Sequence, residues 1–221
     1  MDLNVTNFST EQELDIDYGP RMFVDAKARA AEIASLTRAA LEDAPVAGRS
    51  SSALDNGVTV VVPSHLGVDR ISVCLQSLIS QDLAPGKFEV ILVLNGRDDG
   101  TLARAKTLRD SNPDHAIRII CQPHANAGAA RNLGIAAAGF EYLTFLDDDD
   151  YVGPSFLSSL LAVATPDCVA VAPIINVDVD GREDENSSLN VAIQARAAAK
   201  FKLNEVSTIV GFNACKLFPT E

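Results

Sequence analysis

The chain has 221 residues, a formal net charge of −12 and 47% hydrophobic residues, with no Trp. That length holds one α/β domain of ordinary size plus an appendage. The acidic balance, with no Lys/Arg cluster, argues against a nucleic-acid partner or an anionic membrane surface, and an anionic ligand would need a local cation to hold it.

Residues 1–20 are polar and acidic, and Met1 to Thr10 lacks the basic start and apolar core of a secretory signal. From Met22 to Asp43 apolar residues recur at helical spacing (Phe23, Ala26, Ala30, Ile33, Ala40), which predicts an amphipathic helix in need of a partner surface. That surface belongs either to the main domain or to a second subunit. Ala44 to Asn56 reads as a linker, so residues 1–56 form an N-terminal extension and residues 57–221 the main domain.

From Gly57 strands and helices alternate. Strands are expected at Val58–Val62, Phe88–Leu94, Ile117–Cys121, Tyr142–Leu146 and Val169–Ile175. Between them lie helices through Ile71, Cys74, Leu75 and Leu78, at Leu102–Leu108, at Ala127–Ala138 and from Pro154. Continuous apolar strands separated by helices predict a mostly parallel twisted sheet covered on both faces. Cys168 to Val177 is too short to span a bilayer and contains Pro173, so it reads as a buried strand. Cys74, Cys121, Cys168 and Cys215 have unlike neighbours, which points to neither repeat nor metal site and fits a reducing cytoplasm.

The Tyr142–Leu146 strand runs directly into Asp147, Asp148, Asp149 and Asp150. Four adjacent carboxylates repel one another unless water or a cation neutralises them. On an extended chain Asp147 and Asp149 would point the same way, a good site for Mg²⁺ or Mn²⁺. The alternative is a solvated acidic turn leading into the helix that Pro154 starts. Ligands on parallel sheets bind outside the carboxyl ends of the strands, where Pro63-Ser64-His65, Asn95-Gly96-Arg97 and the aspartates all fall.

Val58 to about Ile175 resembles the GT-A-fold inverting glycosyltransferases of family 2. The resemblance rests on Val58–Pro63 with Ser64, on Leu75, Ser77, Leu78 and Gln81, and on the stretch EVILVLNGRDDGT from Glu89. It continues through Asn126-Ala-Gly128, Ala130-Arg131-Asn132-Leu-Gly134, and Gly139-Phe-Glu-Tyr142 leading into the aspartates of a DxD-type motif. The resemblance implies a Rossmann-like GT-A domain that takes a sugar from a nucleotide-diphosphate donor, UDP-sugar by default, with Mg²⁺ or Mn²⁺, and passes it to a saccharide or glycoconjugate acceptor. It implies Asp149 and Asp147 as metal ligands, with Asp147 toward the ribose and Asp148 in support. Pro63, Ser64, His65 and Asn95 would border base and ribose. Arg131 would face the pocket or hold its helix through a carboxylate. His115 and His124 receive no role, and Gly128 and Gly134 read as helix-packing positions.

Two departures bear on the donor base: Leu94-Asn95 stands where the family carries Asp-Asp or Asp-Asn, and Leu66 replaces an Asn. An inverting transfer also needs a general base. The resemblance places it beyond Glu221, so the chain is expected to be a truncated piece of a longer enzyme, the alternative being a natural short form; truncation would leave an apolar edge near Thr208–Phe218 that invites self-association as a homo-oligomer. Glu183-Asp184 comes too soon after the aspartates and suits an exposed turn. The other classes considered are a catalytically silent nucleotide-binding module docked through the N-terminal helix, and a sugar-phosphate nucleotidyltransferase. The turn Ser64-His65-Leu66-Gly67 lacks the glycines and lysine that the latter normally carries.

Overall fold

The structure, a computed structural model, describes residues 54–178, 180–184 and 215–220. The helix expected at Met22–Asp43 and most of the linker lie outside the described residues. In chain order the elements are β1 (Asp55–Ser64), α1 (Ile71–Ile79), a 3₁₀ turn (Pro85–Lys87), β2 (Phe88–Asn95), α2 (Thr101–Asp110) and β3 (Ala116–Gln122). They continue with α3 (Ala127–Ala137), β4 (Phe140–Phe145), α4 (Phe156–Val163), β5 (Ala170–Val171), β6 (Asn176–Val177), β7 (Glu183–Asp184) and β8 (Lys216–Pro219).

The main sheet has the order β3-β2-β1-β4-β8-β5 among the described residues. β1 pairs in parallel with β2 and β4, and β2 with β3. Every residue of β2 is buried, as is β1 from Gly57 onward, so these strands read as unbroken apolar runs. Ile71, Cys74, Leu75 and Leu78 form one buried stripe of α1 and pack with Ala105 of α2 and Leu157 and Leu160 of α4 on the sheet face that carries Val58, Val60 and Val62. α3 covers the other face, its Ala130, Leu133 and Ala137 set against Ile91, Val93 and Ile120. A side chain at Gly134 would come within 2.2 Å of Val61, so glycine lets α3 approach β1. Gly128 differs from expectation: a Cβ there would meet only its own Asn126 at 3.4 Å, and it packs against no strand.

At the opposite edge of the sheet a buried carboxylate organises the strand starts. Glu89 accepts from Thr59 Oγ1 at 2.9 Å and from the Gly139 amide at 2.6 Å, and pairs with Arg118 at 2.7 Å. A buried carboxylate is tolerated when it is paired and hydrogen-bonded in this way.

The C-terminal part corrects the expectations. Of Val169–Ile175 only Ala170–Val171 pairs, because Pro173 has no amide to give a ladder and Ile175 is 47% exposed. α4 begins at Phe156, after Pro154 and Ser155 in a turn. β8 is not an edge: it runs antiparallel between β4 and β5, with Lys216 and Leu217 buried. The apolar edge expected through Phe218 is therefore covered from Lys216 onward, while Thr208–Ala214 lies outside the described residues. Glu183 and Asp184 sit exposed on the short β6–β7 ladder. No helix among the described residues is long and apolar enough to cross a membrane.

Candidate functional site

The carboxyl ends of β1, β2 and β3 open onto a crevice bounded by the start of α2. Leu66, Leu94 and Leu102 give it apolar walls, and Asn95, Asp98 and Asp99 contribute polar lining. Much of that polarity is already in use. Asp99 accepts from the Val68 amide at 3.2 Å and from Thr101 Oγ1 at 2.5 Å, and the hydroxyl bond before all else holds its carboxyl below the ordinary range. Asp98 accepts from the amides of Gly100 and Leu102 and so caps α2.

Asn95 is a tether. Its Nδ2 donates to the Ser64 carbonyl at 2.9 Å and its Oδ1 accepts from the Asn126 amide at 3.1 Å, joining β1, β2 and the start of α3. His65 is exposed, and its Nδ1–H donates to the Asn95 carbonyl at 2.6 Å, which leaves Nε2 as an acceptor. Gly96, at φ 95, makes room for that ring: a Cβ would lie 3.0 Å from it. Pro63 is buried inside β1, away from the crevice.

The aspartates do not continue the strand. The Asp150 amide donates to the Asp147 carbonyl at 3.1 Å, so Asp147–Asp150 is a tight turn and the alternation expected of an extended chain is lost. Asp148 turns inward, where Ser64 Oγ donates to its Oδ2 at 2.5 Å and Arg70 pairs with Oδ1 at 3.0 Å. Asp147 is half exposed and its Oδ1 is met by Arg131 at 2.6 Å. Asp149 is exposed and makes no hydrogen bond or ion pair among the described residues. Asp150, partly shielded from water and repelled by Asp149 and Asp147, keeps its carboxyl above the ordinary value.

Behind the turn, Ser77 and Gln81 of the first-helix pattern act as braces. Ser77 Oγ accepts from the Val152 amide at 3.2 Å. Gln81 donates to the Gly153 carbonyl at 2.8 Å and accepts from the Leu157 amide at 2.9 Å, capping α4. Cys74 lies beneath the turn, its thiol pushed up to about 12 by burial and then by the nearby aspartates.

The structure thus brings Ser64 and Asn95 together at the crevice, with His65 bonded to the Asn95 carbonyl, and joins Arg131 to Asp147. It adds Arg70 and Gly67, which no sequence spacing connects to aspartates so far along the chain. Among the described residues no group of three or more His, Cys, Asp or Glu side chains is arranged to hold a metal ion; Asp149, exposed, and Asp147, which engages Arg131 through Oδ1, are the hard oxygen donors that a divalent cation would call on.

Residues 59–218 match the family described as Glycosyl transferase family 2. The chain is 32% identical over 117 residues to an uncharacterized glycosyltransferase, YibD, of Escherichia coli K12, covering 53% of this chain and 33% of that protein. It is 31% identical over 103 residues to a poly(ribitol-phosphate) beta-glucosyltransferase of Bacillus spizizenii, covering 45% of this chain and 16% of that one. The chain therefore spans a third or less of the length of these relatives. S. aureus TarS is similar in fold, with a TM-score of 0.60 at 24% identity over 74% of this chain and 28% of that chain.

Proposed function

The chain belongs to glycosyl transferase family 2, and on that premise we propose that it binds a nucleoside diphosphate-sugar donor, UDP-sugar first, at the crevice and the acidic turn, for inverting transfer to a saccharide or glycoconjugate. One observation carries the reading. Ser64 lines the crevice and also bonds Asp148 of the turn, so the crevice and the carboxylate cluster share one strand end.

In this reading base and ribose lie against Leu66, Leu94 and Leu102, with His65 Nε2 and the Asn95 end of β2 at the border. Asp149 and Asp147 hold Mg²⁺ or Mn²⁺, which when bound supplies Lewis-acid stabilisation of the departing diphosphate. Arg131 keeps Asp147 aimed outward from α3. Asp148, buried, holds the wall. The free cysteines Cys74, Cys121, Cys168 and Cys215 support a cytoplasmic setting. The acceptor is proposed as a polysaccharide or glycoconjugate.

Calorimetry with UDP and other nucleoside diphosphates, with Mn²⁺ or Mg²⁺ and again with EDTA, tests it. The expected result is metal-dependent binding of UDP that Asp149→Ala abolishes. Binding that persists in EDTA and survives Asp149→Ala would overturn the assignment.

A further inference from the structure

Asp148 is the most buried aspartate of the turn, with its side chain 9% exposed. Ser64 Oγ donates to Oδ2 at 2.5 Å, and Arg70 reaches Oδ1 through Nη2 at 3.0 Å and through Nε at 3.4 Å. The same Nη2 lies 3.3 Å from Oδ2 and 3.4 Å from the His65 carbonyl, so one guanidinium ties the β1–α1 loop to the acidic turn. Gly67 closes the clamp from the side: a Cβ there would fall 2.3 Å from Asp148 Oδ2 and 2.4 Å from Ser64 Oγ. From below, the Cys74 thiol donates to the Asp147 carbonyl at 3.7 Å.

A carboxylate so far from water stays in place as an anion only while its counter-charge is present. Because the turn is closed between Asp147 and Asp150, the seat of Asp148 also sets where Asp147 and Asp149 point. We propose that Arg70 is a positioning residue, which neutralises Asp148 inside the wall and thereby fixes the turn with Asp147 and Asp149 facing outward to the donor's cation. The proposal rests on the donor reading above. Arg70 is itself 45% exposed, so a direct contact with the donor is the competing explanation that the test must separate.

Three proteins decide it: the wild-type chain, Arg70→Met, and Arg70→Met/Asp148→Asn, each titrated calorimetrically with UDP in Mn²⁺. Arg70→Met is expected to weaken binding at least about tenfold, because the unpaired carboxylate leaves its seat. The double variant has no buried charge to neutralise and keeps an amide oxygen for Ser64, so it should return to within about threefold of wild type. Wild-type affinity in Arg70→Met, with only its melting temperature lowered, would overturn the proposal. So would a folded double variant that binds as weakly as the single one, since Arg70 would then act on the donor directly. Amide exchange over residues 146–152, read without ligand, should be faster in Arg70→Met and restored in the double variant. A wild-type chain that binds no nucleoside diphosphate sinks the donor reading alone, and unchanged exchange in Arg70→Met then sinks the clamp separately.

Discussion

Leu66 holds a left-handed backbone, φ 52, at the mouth of the crevice. A side chain with a Cβ costs roughly 1–2 kcal/mol in that region, and asparagine less than leucine. Leu66→Asn should therefore stabilise the chain by about 1 kcal/mol, a rise of about 2–4 °C in melting temperature by calorimetry. Thr144 offers a second gain: it is fully buried on β4, its hydroxyl has no partner among the described residues, and Thr144→Val should add about 1 kcal/mol. The opposite sign is expected at Gly67, where Gly67→Ala forces Ser64 and Asp148 apart and should lower both stability and UDP affinity. At this scale the sequence was partly legible. Ser64, His65 and the aspartates announce themselves by standing at strand ends. Arg70 does not, because its partner is distant in the chain and nothing local marks an arginine at a helix start as a counter-ion. Asn95 lines the crevice, yet its amide is spent on Ser64 and Asn126, which only the fold reveals.

Among the elements, the residue that braces the site follows α1, and the thiols that give a pH response lie in α1 and before β8. Gln81→Leu leaves the Leu157 amide and the Gly153 carbonyl without their partner and should cost about 2–3 kcal/mol in denaturant unfolding. Cys74 is raised from 9.0 to about 12, and Cys215, just before β8, from 9.0 to about 11, burial being the first cause of each. Folded, these thiols keep their protons where the unfolded chain has lost them, so the unfolded state binds fewer protons and stability falls as pH rises. The window runs from pH 9 to about 11 for both thiols and to about 12 for Cys74. The slope approaches ~1.4 kcal/mol per pH unit for each thiol. Unfolding curves across that range should flatten by about one thiol's share in Cys74→Ala; an unchanged slope would remove Cys74 from this account. β1 and β2 could be read directly because a strand buried on both faces is apolar throughout, and β3 and β4, only partly buried, still carry short apolar runs. β5 could not, since Pro173 looks like one interruption in an apolar run but ends the pairing altogether.

Over the whole molecule, the charge of −12 and the exposed Asp149 would give a cation bound at the turn a stabilising role beyond chemistry. Saturation with UDP and Mn²⁺ at about 100 times the dissociation constant should add about 2.7 kcal/mol of stability, lost again in EDTA. A melting temperature indifferent to both would contradict a site built on the acidic turn. The covering of both sheet faces was legible from the alternation of elements. The strand order was not, because neighbours in a sheet are chosen by crossovers that leave no local pattern, and β8 was taken for an uncovered margin.

The position of β8 has a consequence for how the molecule comes into being. Among the described residues β4 and β5 are joined in the sheet through β8, so until that strand is made neither has this partner. Placing β8 joins segments far apart in the chain, the kind of step that makes folding slow. The acidic turn stands at the end of β4, which β8 flanks. Until Lys216–Pro219 is available, the strand that leads to the aspartates lacks its partner on that flank.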